Sequence, residues 1–297
     1  MLLVVFLFLF FDNLSFSITC RADTARYSHA YSWSGPLHYI DVHDEDIAGG
    51  CPVENRITAA TSPESYTCMF DYARDCANDW CAAGAIVNYT SQLTPAVTPN
   101  LESDRLVRES LMFLVHFVGD IHQPLHSARE SDRGGNTISV NFNQSSSGTS
   151  RRESSRISRR ALRHSHHSSN LHSVWDSSII EKSMRDDYSG SREAMEEDIL
   201  QHIRKTKDSD EWNTWMACPD GGSRACTSQW GEESLNYALT WAYSNVDGAE
   251  VQEGDELSTG YYETRLPVVK ERLAAAGVRL AVTLEIQLSG SDTVAIL

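Results

Sequence analysis

The stretch from Leu101 to Ile121 constrains this chain more than any other. Leu106, Val107, Leu111, Phe113, Leu114, Phe117, Val118 and Ile121 recur at helical spacing and give a wide apolar face. Pro124 ends or bends the helix. Such a face is stable only when packed against other elements. Yet His116 and Asp120 are set into it, with His116 between Val115 and Phe117. An unpaired charge in that setting costs several kcal/mol, so both residues need partners. Residues four apart project from one helix face, and a shared cation satisfies both at once.

The same spacing returns in His172-x3-Asp176, and His126 follows directly after the Pro124 bend. One His-x3-Asp pair is more often a surface ion pair or a capping contact. Two in one chain, with a third histidine between them, point to metal. Neutral imidazole and carboxylate are the donors zinc takes in catalytic rather than thiolate-closed sites.

At 297 residues, 41% of them hydrophobic, the chain can bury the core of one large domain. Asp and Glu number 41 against 25 Lys and Arg, for a formal charge of −16. That balance argues against a protein that grips nucleic acid through a basic surface, but not against an enzyme that holds phosphate on bound metal. Residues 1–19 open with an apolar run, Leu2 to Phe11, too short to span a bilayer. The run reads as signal-like or as an artefact of gene prediction; a signal sequence directs the chain to secretion or a vacuolar lumen. Seven cysteines (Cys20, Cys51, Cys68, Cys76, Cys81, Cys218 and Cys226) fit an oxidising compartment, and the odd count leaves one thiol over. Cys76 and Cys81 are spaced for a short loop bridge. Cys218 and Cys226 close a second loop or reach back to Cys51 and Cys68. Sequons at Asn88 and Asn143 are compatible with a glycosylated protein.

Strand signals are scarce and the class is mainly α. Residues 42–75 read as loop. Thr137 to Phe142, after Gly134-Gly135, reads as one arm of a small β-hairpin. Residues 144–169, rich in Ser, Arg and His, cannot bury enough surface to order themselves. A disordered insertion or a gene-prediction artefact is favoured there over a basic arm for nucleic acid. Helices are expected over Asn170–Glu181, near Ser191–Lys207 and Glu232–Val246, and from Tyr261 to Leu288 with an interruption at Gly277. Residues 289–297 read as a flexible tail.

Several of these segments together resemble one family. Phe117-Val118-Gly119-Asp120-Ile121-His122-Gln123-Pro124-Leu125-His126, Gly134-Gly135-Asn136 and Asn170-Leu171-His172-Ser173-Val174-Trp175-Asp176 look like the signature of the trinuclear-zinc single-strand-specific nucleases, in the phospholipase C-like zinc superfamily. Ala22-Asp23-Thr24-Ala25-Arg26, Pro36-Leu37-His38-Tyr39-Ile40-Asp41 and Cys81 to Leu93 fit the same pattern. The resemblance runs from about Cys20 to Leu284 and implies a multi-helix phospholipase C/nuclease-type fold over 20–288. It implies one zinc on Asp23, His38, His116 and Asp120, and a second on His126, His172 and Asp176. It gives Asp23 a part in orienting the attacking water and Arg26 a phosphate contact. Tyr39 would stack on a base, and Asp41 and Asn136 would bond a base edge. The implied activity is zinc-dependent endonucleolytic hydrolysis of single-stranded DNA and RNA to 5′-phosphorylated products, with a 3′-nucleotidase activity, by a monomer without stable membrane association.

The chain departs from that pattern at its start. The family's third zinc is held by an amino-terminal tryptophan and a histidine shortly after it, and neither precedes Asp23 here; Trp33 and His29 both follow it. Two zincs are fully liganded, and the activity of the chain as written is open. A missing upstream coding segment is the favoured explanation, which also leaves Cys20 without its usual partner. The rival activities are a phospholipase C-type phosphodiesterase and a degenerate protein that keeps zinc for stability alone.

Overall fold

The structure is a computed structural model that describes residues 22–47, 70–93, 101–142, 168–218 and 222–289. The apolar segment 1–19, Cys20, Cys51, Cys68, Asn143 and the tail from 290 onward lie outside the described residues, as does the Ser/Arg stretch apart from Ser168 and Ser169.

The class is mainly α, as the sequence predicts. Helix α1 (Ala82–Ser91) packs beside the long α2 (Leu101–His122). Phe113, Leu114, Phe117, Val118 and Ile121 are all fully buried on α2, joined in one cluster with Ile40, Ala82, Ile86 and Leu280. Each such side chain contributes about 1.5–3 kcal/mol of transfer free energy, opposed by the entropy of ordering the chain. The next helix, α3, starts as Leu171–Ser173, passes through a π-helical turn at Val174–Ser178 and continues as Ile179–Asp187. Then come α4 (Arg192–Thr206), α5 (Asp210–Met216), α6 (Ser223–Tyr237, running into a π turn Ala238–Ala242) and α7 (Gly260–Ser289).

Four features differ from expectation. Gly277 does not interrupt α7. Its neighbours Ala274, Ala275, Ala276 and Val278 are buried, and that packing outweighs the ~1 kcal/mol helix penalty of a glycine. Helix α5 was not legible, and α6 begins nine residues before its apolar pattern shows. The stretch 42–75 holds two helical turns, Asp44–Ile47 and Tyr72–Asp75, the second capped by the Asp71 carboxylate.

Among the described residues the strands come in two short pairs. β3 (Ser139–Asn141) pairs antiparallel with β4 (Ser168–Asn170), so the arm predicted near 137–142 finds its partner at the very end of the Ser/Arg stretch, where Ser168 and Ser169 are ordered by pairing, contrary to the bound expected at 169. β1 (Ile40–Val42) lies parallel to β2 (Ser127–Arg129), with Asp41 opposite Ala128. This second pair has no clear sequence signal, because three residues cannot display a period. It matters most for the site: β1 follows His38 and β2 follows His126, so pairing them draws the two histidines together.

Behind the site lies a buried polar knot. Glu233 on α6 accepts from Arg272 and from Arg279 (2.6 Å), both on α7 and both buried. Arg272 Nε also donates to the carbonyl of His122, the last residue of α2. Removing one partner of such a buried pair costs about 3–5 kcal/mol, because a charge is left unmatched. The knot locks the end of α2 that carries Asp120.

Among the described residues two disulfides are formed. Cys76–Cys81 closes the short loop before α1, and Cys218–Cys226 closes its own loop at the start of α6.

Candidate metal centre

Five segments deliver the predicted ligands to one place. Asp23 sits on a helical turn at 22–25, His38 ends the 3-10 helix Ser32–His38, and His116 and Asp120 lie on α2. His126 ends the 3-10 turn Pro124–His126, and His172 and Asp176 lie on α3. Donor atoms of Asp23, His38 and His116 all lie within 4.8 Å of one another, and those of His126, His172 and Asp176 form a second such group. Asp120 joins the two. Its Oδ2 is 2.9 Å from His38 Nδ1 and 3.2 Å from His116 Nε2, while Oδ1 is 3.7 Å from His126 Nδ1.

The histidines of the second group have defined tautomers. His126 Nδ1 donates to the carbonyl of His38 at 2.6 Å, and His172 Nδ1 donates to the carbonyl of Gly134 at 2.7 Å. A carbonyl only accepts, so each Nδ1 carries hydrogen and each Nε2 is left with the lone pair a metal needs. Both Nε2 atoms face Asp176, at 3.2 and 3.3 Å. Asp176 is itself held by the Gln123 side-chain amide at 2.6 Å.

Local sequence explains these placements. Gly134 and Gly135 have φ of +62° and +77°, and a Cβ on Gly134 would stand 2.2 Å from the Leu125 carbonyl oxygen. Glycine is required there, and the turn it makes presents the carbonyl that orients His172. Asn170 caps α3, reciprocated by Ser173. The π turn over Asp176 is of the kind often found at functional sites.

His122, in the same motif, is no ligand. It is buried, its Nδ1 donates to the Val118 carbonyl at 2.7 Å, and its Nε2 accepts from Arg279 at 3.0 Å. Burial, with Arg279 and Arg272 beside it, pushes its pKa well below the ordinary value. Both nitrogens are used and the ring is neutral.

The ligand carboxylates and imidazoles respond strongly to one another. Burial alone would lower His116, but Asp120 and Asp23 outweigh it and raise it to about 10. Burial would also lower His126, yet Asp120 and Asp176 bring it to about 9. Burial opposes ionisation of Asp120, and the neighbouring His116 and His126 overcome it to hold the carboxyl far below the usual range. His172 is lowered by burial and by His126. The carboxylates are thus held ionised beside the imidazoles, a negative setting that a cation would balance. Two convergent sets of imidazole and carboxylate donors, with Asp120 beside the first, fit zinc.

The donors open into a cavity of about 1000 Å³. Arg26, Tyr39, Asp41 and Asn136 all line it. Tyr39 is 38% exposed. Burial, reinforced by the Glu130 carboxylate, raises Asp41 to about 6. Asn136 is exposed and donates to the carbonyl of Arg133 at 2.8 Å. Arg26 lies over the ring of Tyr27. Sequence reasoning missed two residues of this site. Gln123 orients Asp176, and Arg133, at φ +56° beside the glycine turn, adds a guanidinium to the cavity. Its signal was the Arg-Gly-Gly-Asn run, a left-handed turn that aims whatever precedes it.

Comparisons with known proteins agree with this geometry. The family model described as S1/P1 nuclease matches residues 13–289. Endonuclease 2 of Arabidopsis thaliana is 36% identical over 274 residues, which cover 90% of this chain and 76% of that protein. Endonuclease 1 of the same plant is 33% identical over 278 residues, covering 92% and 75%. Nuclease S1 of Aspergillus oryzae is 31% identical over 279 residues, covering 93% and 80%. The chain belongs to the S1/P1 nuclease family of hydrolytic nucleases.

Proposed function

We propose that this protein is a zinc-dependent endonuclease that hydrolyses phosphodiester bonds in single-stranded DNA and RNA, releasing 5′-phosphorylated products and removing terminal 3′-phosphates. The observation that supports it most is the pair of three-residue donor groups joined through Asp120 at the floor of one open cavity. In this reading Asp23, His38, His116 and Asp120 hold one ion, and His126, His172 and Asp176 hold another. Zinc, when bound, lowers the pKa of the attacking water and neutralises charge on the phosphoryl oxygens.

The remaining work falls to the chain. Asp23, with its side chain 54% exposed and 3.5 Å from His116, is placed to accept a hydrogen bond from the water and turn a lone pair toward phosphorus. The water oxygen bonds to phosphorus, the P–O3′ bond breaks, and the proton lost by water balances the one gained by the departing O3′. Arg26 meets a phosphate oxygen with a permanently charged fork. Tyr39 stacks on a base, and Asp41 and Asn136 bond its edge. Stacking needs an exposed base face, which a duplex hides, so this arrangement favours single strands.

Two disulfides, and Asn88 exposed on α1 within its sequon, support a secreted or vacuolar protein. No helix among the described residues is long and apolar enough to cross a membrane. A monomer acting on nucleic acid is the proposed working form.

The test is to incubate zinc-loaded protein with single-stranded DNA, duplex DNA, RNA and phosphatidylcholine. Acid-soluble nucleotides bearing 5′-phosphate, released mainly from single strands, are expected. Phosphocholine release without nucleotides would replace this reading with a phospholipase C-type phosphodiesterase, and zinc binding with neither product would leave a structural metal protein.

A further inference from the structure

Tyr39 is not the only large aromatic ring left open to solvent. Trp80 is 51% exposed and Trp33 is 40% exposed, with ring centroids 6.4 Å apart and planes at 44°. Isolated exposed aromatics are ordinary; two in contact form a surface with apolar faces turned to solvent. Both rings are held rather than loose. Trp33 rests on Phe113 at 6.3 Å, and its indole N–H is already spent on the Ala30 carbonyl at 2.9 Å. Trp80 sits in the loop closed by Cys76–Cys81, behind two left-handed residues, Asn78 and Asp79.

Neither ring lines the cavity, but both lie on segments tied to residues that do. The backbone N–H of Ala82, two residues after Trp80, donates to the carbonyl of Tyr39 at 3.1 Å. Trp33 lies on the 3-10 helix that ends in His38, about 10 Å along its axis from that ligand at ~2 Å per residue. The nearest carboxylate, Asp79, is occupied: Tyr72 donates to it at 2.8 Å and Arg224 lies 2.9 Å away. A polyanion passing here therefore meets a compensated charge and two open ring faces.

We propose that Trp33 and Trp80 form an outer stacking subsite that holds a base of single-stranded nucleic acid beyond the nucleotide bound at Tyr39. The inference rests on the nuclease reading above and extends it from one nucleotide to a longer strand. Stacking on a protein aromatic is sequence-tolerant, because every base has a π face. The subsite therefore raises affinity for long strands without selecting a sequence.

The test compares wild type with Trp33→Ala/Trp80→Ala on two substrates: a dinucleoside monophosphate, too short to reach the pair, and an oligodeoxythymidylate of about twenty nucleotides. The double variant is expected to raise KM for the oligonucleotide about five- to tenfold, at the low end for loss of a stacked base, with kcat little changed. Its kcat/KM on the dinucleotide stays at the wild-type value, and Trp33→Phe/Trp80→Phe restores most of the loss. Trp80→Ala alone serves if removing Trp33 from Phe113 unfolds the protein. An unchanged oligonucleotide KM, or an equal loss on both substrates, overturns the subsite. If wild type cleaves neither substrate, the nuclease reading fails; quenching of tryptophan fluorescence by the same oligonucleotide then decides the subsite. Quenching lost in the double variant upholds it, and quenching unchanged refutes it.

Discussion

The two donor groups reach the same chemistry by different supports. In the second, His126 and His172 are each fixed by a backbone carbonyl on the far side of the ring, and Asp176 by Gln123. In the first, the donors lean on one another: His116 Nε2 lies 3.0 Å from His38 Nδ1, and both rest on Asp120. One group is preformed by main-chain geometry, the other by mutual attraction between an anion and imidazoles. The difference teaches where each is vulnerable. The second fails if the backbone turn is spoiled, and the first fails if the bridging charge is removed.

The largest effect is expected from the ligands themselves. His116→Ala or His172→Ala should lower kcat by on the order of a hundred- to a thousandfold or more, the loss typical of removing electrostatic stabilisation at a reacting phosphate. Asp120→Asn keeps the shape and removes the charge. It is expected to cost about ten- to a hundredfold in metal affinity, mainly at the first group. Equal loss at both groups would erase the distinction drawn above; isothermal titration of chelated protein with zinc measures it.

Gly134→Ala attacks the second group through its support. A Cβ there meets the Leu125 carbonyl in a backbone with φ of +62°, which costs roughly 1–3 kcal/mol and displaces the carbonyl holding His172. Gly277→Ala is the control. It lies in helix α7, where a Cβ meets nothing within 4 Å, and it should stabilise the protein by up to about 1 kcal/mol. Thermal melts of the two variants with and without zinc separate strain from metal loss.

The smallest effect concerns the strand pair that joins the groups. Asp41 on β1 has a pKa raised to about 6, above the ordinary carboxylate value, by burial and then by Glu130. Between the unfolded and folded values the native state binds more proton, so the ionised form carries a folding cost that is absent at low pH and complete above about pH 6. Asp41→Asn is therefore expected to raise Tm at pH 7–8 and to have little effect near pH 4. A Tm difference that does not change with pH would show that burial of the charge is not what Asp41 costs.

Much of this was legible in the sequence, for stated physical reasons. A histidine among Phe113, Leu114 and Phe117 has to be partnered, so His116 and Asp120 announced themselves. The repeated four-residue spacing found His172 and Asp176, whereas the glycine pair read only as the lead-in to a strand, and its carbonyl bond to His172 is visible in the fold alone. Asp23 and His38 carried no such local signal; they entered through the family resemblance, because their neighbours in space come from distant segments. The parallel pairing of β1 with β2 was hidden for the same reason, since a three-residue strand has no period to read. Gly277 misled because propensity is local, whereas the buried alanines around it are fixed by packing. Gln123 was passed over because an amide that orients a ligand looks like any other surface glutamine.

The central claim is that these seven side chains hold metal. Elemental analysis of purified, folded protein tests it most directly. At least two zinc ions per chain are expected in the wild type, matching the two donor groups, with His116→Ala and His172→Ala each losing about one of them. Wild-type protein that is folded and free of transition metal, or variants that keep the full complement, would contradict the account.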